Sequence, residues 1–160
     1  MINPGDVISY LEMCTQEGTS LQRGMNFRFH ENRNVILMSR RANAPYVDKV
    51  DDDGHVLIYE GHDVSKTQKT PIPKIIDQPM YYPGGSLTQN GLFFKAAKDY
   101  ITGKKHPEFV RVYEKLHKGI WVYNGIFKLI DAWEEKQENR KVFKFKLELI
   151  EESSSDKENL

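Results

Sequence analysis

Within one short stretch, Tyr46 to Asp63 (YVDKVDDDGHVLIYEGHD), lie the side chains best suited to chemistry on a flat polar ring. Tyr46 and Asp48 open it. Asp51, Asp52 and Asp53 run into Gly54, and Tyr59 and Glu60 precede Gly61, His62 and Asp63. A phenol offers a stacking face, and a carboxylate accepts a hydrogen bond from an exocyclic amine. Two such rings and one such acceptor are what a nucleobase needs once it is taken out of its helix, and the N4 amine of cytosine is the matching donor. On residue types alone, half-buried strand tyrosines and a solvated acidic turn fit the same letters equally well.

Other chemistries have weaker support. His30, His55, His62, His106 and His117 are scattered. His55 and His62 flank one strand at an odd offset, so a regular strand points them to opposite faces and no metal set forms. A carboxylate–lysine nuclease site assembled from Asp131, Glu148 and Lys146 is what any basic antiparallel sheet offers. No nucleophile elbow, phosphate loop or dinucleotide fingerprint occurs. The residues therefore imply no metal and no cofactor.

The elements that must hold these side chains can be read in order. Val56 to Tyr59, bounded by Asp-Gly and Gly, reads as a strand between two turns. Before it, Asp6 to Cys14 reads as a first strand of mixed exposure. Gln16 to Gly24 reads as a loop carrying Leu21, Gln22 and Arg23 on the surface. Met25 to Arg41 reads as two strands turning at Glu31–Arg33, with the basic pair Arg40 and Arg41 at the end. Val64 to Gly85 holds four prolines and two glycines and reads as a long surface excursion, with Tyr81 and Tyr82 packing it down or, as the alternative, touching nucleic acid. Leu87 to Gly103 is a helix capped by Thr88 and striped by Leu92, Phe93, Ala96, Ala97 and Tyr100, with Gly91 leaving room for a neighbouring backbone. Phe109 to Glu114 is a strand. Asn124-Gly125 signals a tight hairpin between Ile120–Tyr123 and Ile126–Ile130. Lys141 to Leu149 alternates lysine with apolar residues, as an edge or half-buried strand with a wet basic face does.

At 160 residues, with one cysteine and a net charge of zero, the chain is sized for one domain without an internal disulfide. No leader or membrane span is expected at MINPGDVISY. The neutral total argues against indiscriminate coating of nucleic acid, but the charges segregate. Asp51 to Asp63 holds five acids and no lysine or arginine, whereas Val64 to Asp131 holds eleven bases against five acids. Such segregation can give a neutral protein one basic face. The last residues, 151–160 (EESSSDKENL), are polar and acidic and read as a disordered tail or linker.

The stretch above occurs in fixed order with Leu87-Thr88-Gln89-Asn90, Val110-Arg111-Val112, Tyr123-Asn124-Gly125 and Val142–Leu147. This ordered set resembles the SET- and RING-associated (SRA, or YDG) domain over roughly residues 3 to 150. The likeness is strongest to the bacterial form fused to HNH nucleases in McrA-type restriction enzymes. The resemblance implies an α+β fold of PUA-like type: a strongly bent, barrel-like antiparallel sheet with one main helix and short flanking helices. It implies a domain over residues 1–150 that binds duplex DNA and flips a 5-methyl- or 5-hydroxymethylcytosine into a pocket of Tyr46, Asp48, Tyr59 and Glu60. Asp51 or Asp52 is the alternative to Asp48, because the spacing between the tyrosines is one residue longer than in the animal form. DNA contacts would fall on Arg23, Arg40 and Arg41, and on Lys66, Thr67, Gln68 and Lys69. Thr67-Gln68-Lys69 replaces the Asn-Lys-Arg triplet with which the animal form supports a hemimethylated CpG preference. The implied setting is a bacterial restriction system, cytoplasmic and nucleoid-associated. The nuclease would lie in a partner or fused HNH-type domain, the chain itself would not be an enzyme, and a homodimer would be allowed. An RNA-binding PUA-like protein and a small metal-dependent nuclease are the alternatives.

Overall fold

The computed structural model describes residues 2–39, 49–51 (backbone) and 54–150. Tyr46, Asp48, Arg40, Arg41, the side chain of Asp51, Asp52 and the 151–160 tail lie outside these described residues.

Eight strands form one curled sheet: β1 (Val7–Ser9), β2 (Met25–His30), β3 (Arg33–Met38), β4 (Lys49–Asp51), β5 (Val56–Glu60), β6 (Phe109–His117), β7 (Ile120–Gln137) and β8 (Arg140–Leu149). They run in the order β2-β3-β6-β7-β8-β5-β4, with β1 added on β7. Among the described residues two α-helices, α1 (Tyr10–Glu17) and α2 (Gln89–Ile101), and a short 3-10 helix at Pro73–Ile75 complete the α+β fold. No helix among the described residues is long and apolar enough to cross a membrane. The ladders are antiparallel except β3 with β6, which is parallel and corrects the all-antiparallel expectation. A parallel pair needs a long crossover, and β4, β5, the excursion and α2 supply it.

Helix α2 starts where its sequence says. The Thr88 hydroxyl accepts from Gly91 N and donates to Pro79 O at 2.7 Å, tying the cap to the incoming loop. Phe93 and Ala97 face the sheet and are buried in one cluster with Phe127, Leu129, Phe145 and Leu147. Phe93 meets Phe27 and Phe145 edge-on, at 5.2 and 6.1 Å between ring centres. Gly91 lets this packing close: a Cβ there would stand 2.5 Å from the Met80 carbonyl oxygen.

Three expectations are overturned. The first strand stops at Ser9, because Ser9 and Glu12 form a reciprocal capping box that nucleates α1. Asn124-Gly125 makes no hairpin. β7 runs straight through it, Val112 pairing with Gly125 and Tyr113 with Tyr123, so Asn124 is the extra residue of a bulge, with Gly125 at φ 107°. The chain reverses instead around Gly119 and Glu138, both at positive φ. Finally, β8 is no edge strand. It lies between β7 and β5 and is half-buried, the other alternative: Lys141 is exposed and Lys146 partly so, and Lys144 alone of the three is buried.

Candidate nucleic-acid interface

Strand β5 delivers Tyr59 and Glu60 to the corner where α2, β2 and the excursion meet. Tyr59 stands opposite Phe145 and Glu60 opposite Lys144 in the β8 register, so the two side chains leave opposite faces of the strand. This corrects the expectation that both line one pocket. Tyr59 faces the core and is 4% exposed. Its hydroxyl donates to Leu37 O at 3.4 Å and lies against Gly24, whose missing side chain makes the space. Glu60, 2% exposed, faces the other way. Its carboxylate is 3.2 Å from the Lys144 ammonium and accepts from the Gln78 amide at 3.4 Å.

Arg23 is exposed and adjoins Gly24, so it shares the Tyr59 corner. Its loop is held from below. Leu21 is buried rather than on the surface, packs with Met13 and Tyr113, and offers its carbonyl to Tyr10 Oη at 2.7 Å. Of Leu21, Gln22 and Arg23, the last two face solvent. The helix behind them is anchored by buried Glu17, which accepts from Arg111 Nε at 2.5 Å and from the Tyr113 hydroxyl. Burial, with Glu17 adding to it, raises the Tyr113 phenol far above its ordinary range.

Past Glu60 the chain threads a narrow gap. A Cβ on Gly61 would collide with Asn90 Oδ1 and stand 3.0 Å from Gln78 Oε1. Asn90, on the first turn of α2, grips the next residue from both sides: its Oδ1 accepts from His62 N and its Nδ2 donates to His62 O, each at 2.9 Å. The ring of His62 places Nδ1 2.9 Å from Asp63 O. A carbonyl only accepts, so Nδ1 carries the proton of the neutral ring. Burial lowers the His62 pKa. The bond to Asp63 opposes this, and the charge of Arg23 adds to the lowering. Arg23, Tyr59, His62 and Asn90 thus share one corner of the molecule.

The excursion carries the other expected contacts outward. Ser65 to Thr70 braces itself: Thr67 N donates to Thr70 O, Thr70 N to Thr67 Oγ1, and Thr70 Oγ1 to Ser65 O at 2.8 Å. Lys66, Thr67, Gln68 and Lys69 are exposed on this tip. Tyr81 and Tyr82 do not pack the excursion down. They are 59% and 46% exposed on a turn closed by Tyr82 N to Ser86 O, because Met80 and not the tyrosines turns inward.

Sequence reasoning missed Gln78 and Arg140, which join the excursion to β8. Both are buried polar residues whose partners are distant in the chain, so no local pattern marks them. Among the described residues no three His, Cys, Asp or Glu side chains converge as a metal set. Asp131 and Glu148 face separate lysines, Lys98 at 3.9 Å and Lys128 at 3.8 Å. An open cleft of about 670 Å³ between His55, Pro107, Phe109 and Ile150 lies at the opposite end of β5.

Comparison with known proteins bears on this arrangement. The SAD/SRA domain family matches residues 2–153. The structure is similar to that of the SUVH5 SRA in complex with methylated CHH DNA (27% identity, 93% of this chain and 89% of that one, TM-score 0.61). It is equally similar to the SUVH5 SRA bound to fully hydroxymethylated CG DNA (28%, 93% and 89%, 0.61). The modification-dependent TagI restriction endonuclease shares the fold (18%, 94% of this chain and 50% of that one, 0.57). No curated protein matches. With a match running through nearly all of its residues, the chain belongs to the SAD/SRA domain family.

Proposed function

We propose that this chain binds duplex DNA carrying 5-methyl- or 5-hydroxymethylcytosine and holds that base, swung out of its helix, against Tyr59. Tyr46 is the opposite wall and Asp48, or Asp51 or Asp52, the acceptor for the N4 amine. Glu60 supports the strand from its far face through Lys144. Arg23 reaches the duplex from the Tyr59 corner, and Arg40, Arg41 and the Lys66–Lys69 tip hold phosphates and groove. The observation that carries this reading is the likeness, along nearly the whole chain, to SRA structures in complex with methylated and hydroxymethylated DNA.

The energetics are near balance. Extruding a base costs a few kcal/mol. Stacking returns about 1–3 kcal/mol per base, and phosphate contacts supply the rest. A methyl at C5 adds only about 1 kcal/mol of apolar burial, so discrimination also needs a pocket shape that excludes the wrong base. Tyr59 is covered in this structure, so capture requires the base to take the place of what covers the ring.

The chain, on this reading, is a reader and not an enzyme. Residues 1–150 recognise the modification and 151–160 link to, or trail from, the recognition domain. Cutting falls to a nuclease domain, such as an HNH type, in a modification-dependent restriction system on the bacterial nucleoid. The fold shared with TagI supports this setting.

The test is a titration of the purified chain with matched duplexes containing plain, 5-methyl- and 5-hydroxymethylcytosine, and with the same sequence as RNA. Tighter binding to a modified duplex is expected. Equal affinity for all duplexes, or preference for RNA, contradicts the reading.

A further inference from the structure

The chain leaves β5 after Glu60, passes Asp63 into the excursion and returns to the sheet at Gln78, with the exposed tip between. We propose that Arg140 and Gln78 are positioning residues that fix this tip relative to the base-capturing strand, so that tip contacts to the duplex form in register with the captured base. The inference rests on the function proposed above and extends it to residues far from the DNA.

One guanidinium joins both legs of the loop. Arg140 Nη1 donates to Asp63 Oδ1 at 2.8 Å on the departing leg, and to Pro73 O and Ile76 O, each at 3.2 Å, on the returning leg. One amide does the same from the loop side. Gln78 Nε2 donates to Gly61 O at 2.8 Å and to Asp63 Oδ1 at 3.2 Å, while its Oε1 accepts from Phe143 N of β8 at 2.8 Å. Lys74 closes the outer side with an ammonium 2.9 Å from Asp63 Oδ2. Two backbone-to-backbone bonds, Gly61 N to Phe143 O and Gln78 N to Lys141 O, lock the legs to the same strand.

The arrangement addresses a definite problem. An untethered segment from Gly61 to Gln78 has an end-to-end spread on the order of 20 Å, which is no platform for a groove contact. Pinning Asp63 to Pro73 and Ile76 reduces the free part to a short loop, which Ser65, Thr67 and Thr70 then brace from within. While Nη1 serves both legs, the second terminal nitrogen of the guanidinium lies 4.0 Å from Glu60 Oε2, so arginine ties the loop to β5 at two nitrogens where lysine has one.

A double-mutant cycle on the full chain separates positioning from plain stability. Affinity for a modified duplex is measured for the wild type, Lys69→Ala, Gln78→Met and Arg140→Lys, and for Lys69→Ala combined with each of the last two. All titrations run below the onset of melting for each variant. If the clamp aims the tip, Lys69→Ala costs about 5-fold in the wild type and less than about 2-fold once Gln78 or Arg140 is changed. That coupling is at the low end of what linked sites show. Equal losses in every background overturn the proposal while leaving DNA binding intact. Should Arg140→Lys fail to fold, the near-isosteric Gln78→Met carries the test. A wild type that binds no duplex would instead sink the underlying function.

Discussion

Glu60 and Lys144 stand opposite each other in the β5–β8 ladder with carboxylate and ammonium 3.2 Å apart, and the two residues are 2% and 3% exposed. This pair sits directly behind Tyr59 on the reverse face of the strand. Two charges withdrawn from water must find each other, and Glu60 also has the Arg140 guanidinium 4.0 Å away, so losing Lys144 leaves the carboxylate with only its more distant cation.

Lys144→Met should therefore destabilise the fold, by less than the about 3–5 kcal/mol of a fully uncompensated buried charge because Arg140 remains near Glu60, read from the midpoint of urea unfolding. Glu60→Leu combined with Lys144→Met should recover most of that loss, since the carboxylate that Lys144 neutralised is then gone while Arg140 keeps Asp63. A double variant as unstable as the single one would show that Lys144 matters for another reason.

Gly91→Ala sets two effects of opposite sign against each other. Helix propensity favours alanine by about 1 kcal/mol. The new Cβ, however, would stand 2.5 Å from the Met80 carbonyl, a backbone atom itself bonded to Thr88 N at 3.0 Å. Overpacking costs about 1–3 kcal/mol, so a net fall in melting temperature is expected. A rise would mean that the loop yields freely.

What the sequence discloses about this fold depends on how local the cause is. Thr88, Gly91 and the Phe93–Ala97 stripe announce α2, because cap, close approach and apolar face all lie within a few turns. Ser9 and Glu12 announce α1 as plainly, through a four-residue box outweighed by an alternating pattern. Asn124-Gly125 misleads because the same left-handed glycine serves a tight turn and a bulge, and only pairing with Val112 and Tyr113 decides between them. Lys144 reads as a wet lysine until Glu60 is placed across from it. Arg140 and Gln78 remain silent, since what they bind is fixed only once the excursion has folded back.

The His62 and Asp63 pair predicts how stability follows pH. Burial lowers the His62 pKa below the ordinary 6.5, so the unfolded chain binds the proton more readily. Stability from the neutral ring is complete above about pH 6.5 and declines as pH falls through the lower folded value. Burial by itself would raise the Asp63 carboxyl, but hydrogen bonds from Lys74, Arg140 and Gln78 more than offset it and leave the pKa below the ordinary 3.8. Its contribution is present above that value and is lost as acid takes the pH below it. Melting temperature measured against pH should fall in two stages, and His62→Gln should remove the first. An unchanged upper stage in that variant would assign the slope elsewhere.

Lys69 and Tyr59 should divide affinity from selectivity. Lys69→Ala should weaken binding to modified and plain duplexes alike and lower the salt slope by about one, as loss of one phosphate contact does. Tyr59→Leu, which keeps an apolar side chain in the core, should erase the preference for modified cytosine with a smaller effect on plain duplex. Affinity titrations across a salt series check both. Loss of discrimination in Lys69→Ala would contradict the division.

The central claim is capture of a base outside its helix, and a fluorescent base analogue placed beside the modified cytosine reads this directly. Extrusion removes the stacking partner of that reporter, so its emission rises on binding. A rise is expected with 5-methyl- or 5-hydroxymethylcytosine duplexes and none with Tyr59→Leu. Tight binding to modified duplex with no change in emission would mean that the base stays stacked and that the pocket at Tyr59 is not where the modification is read.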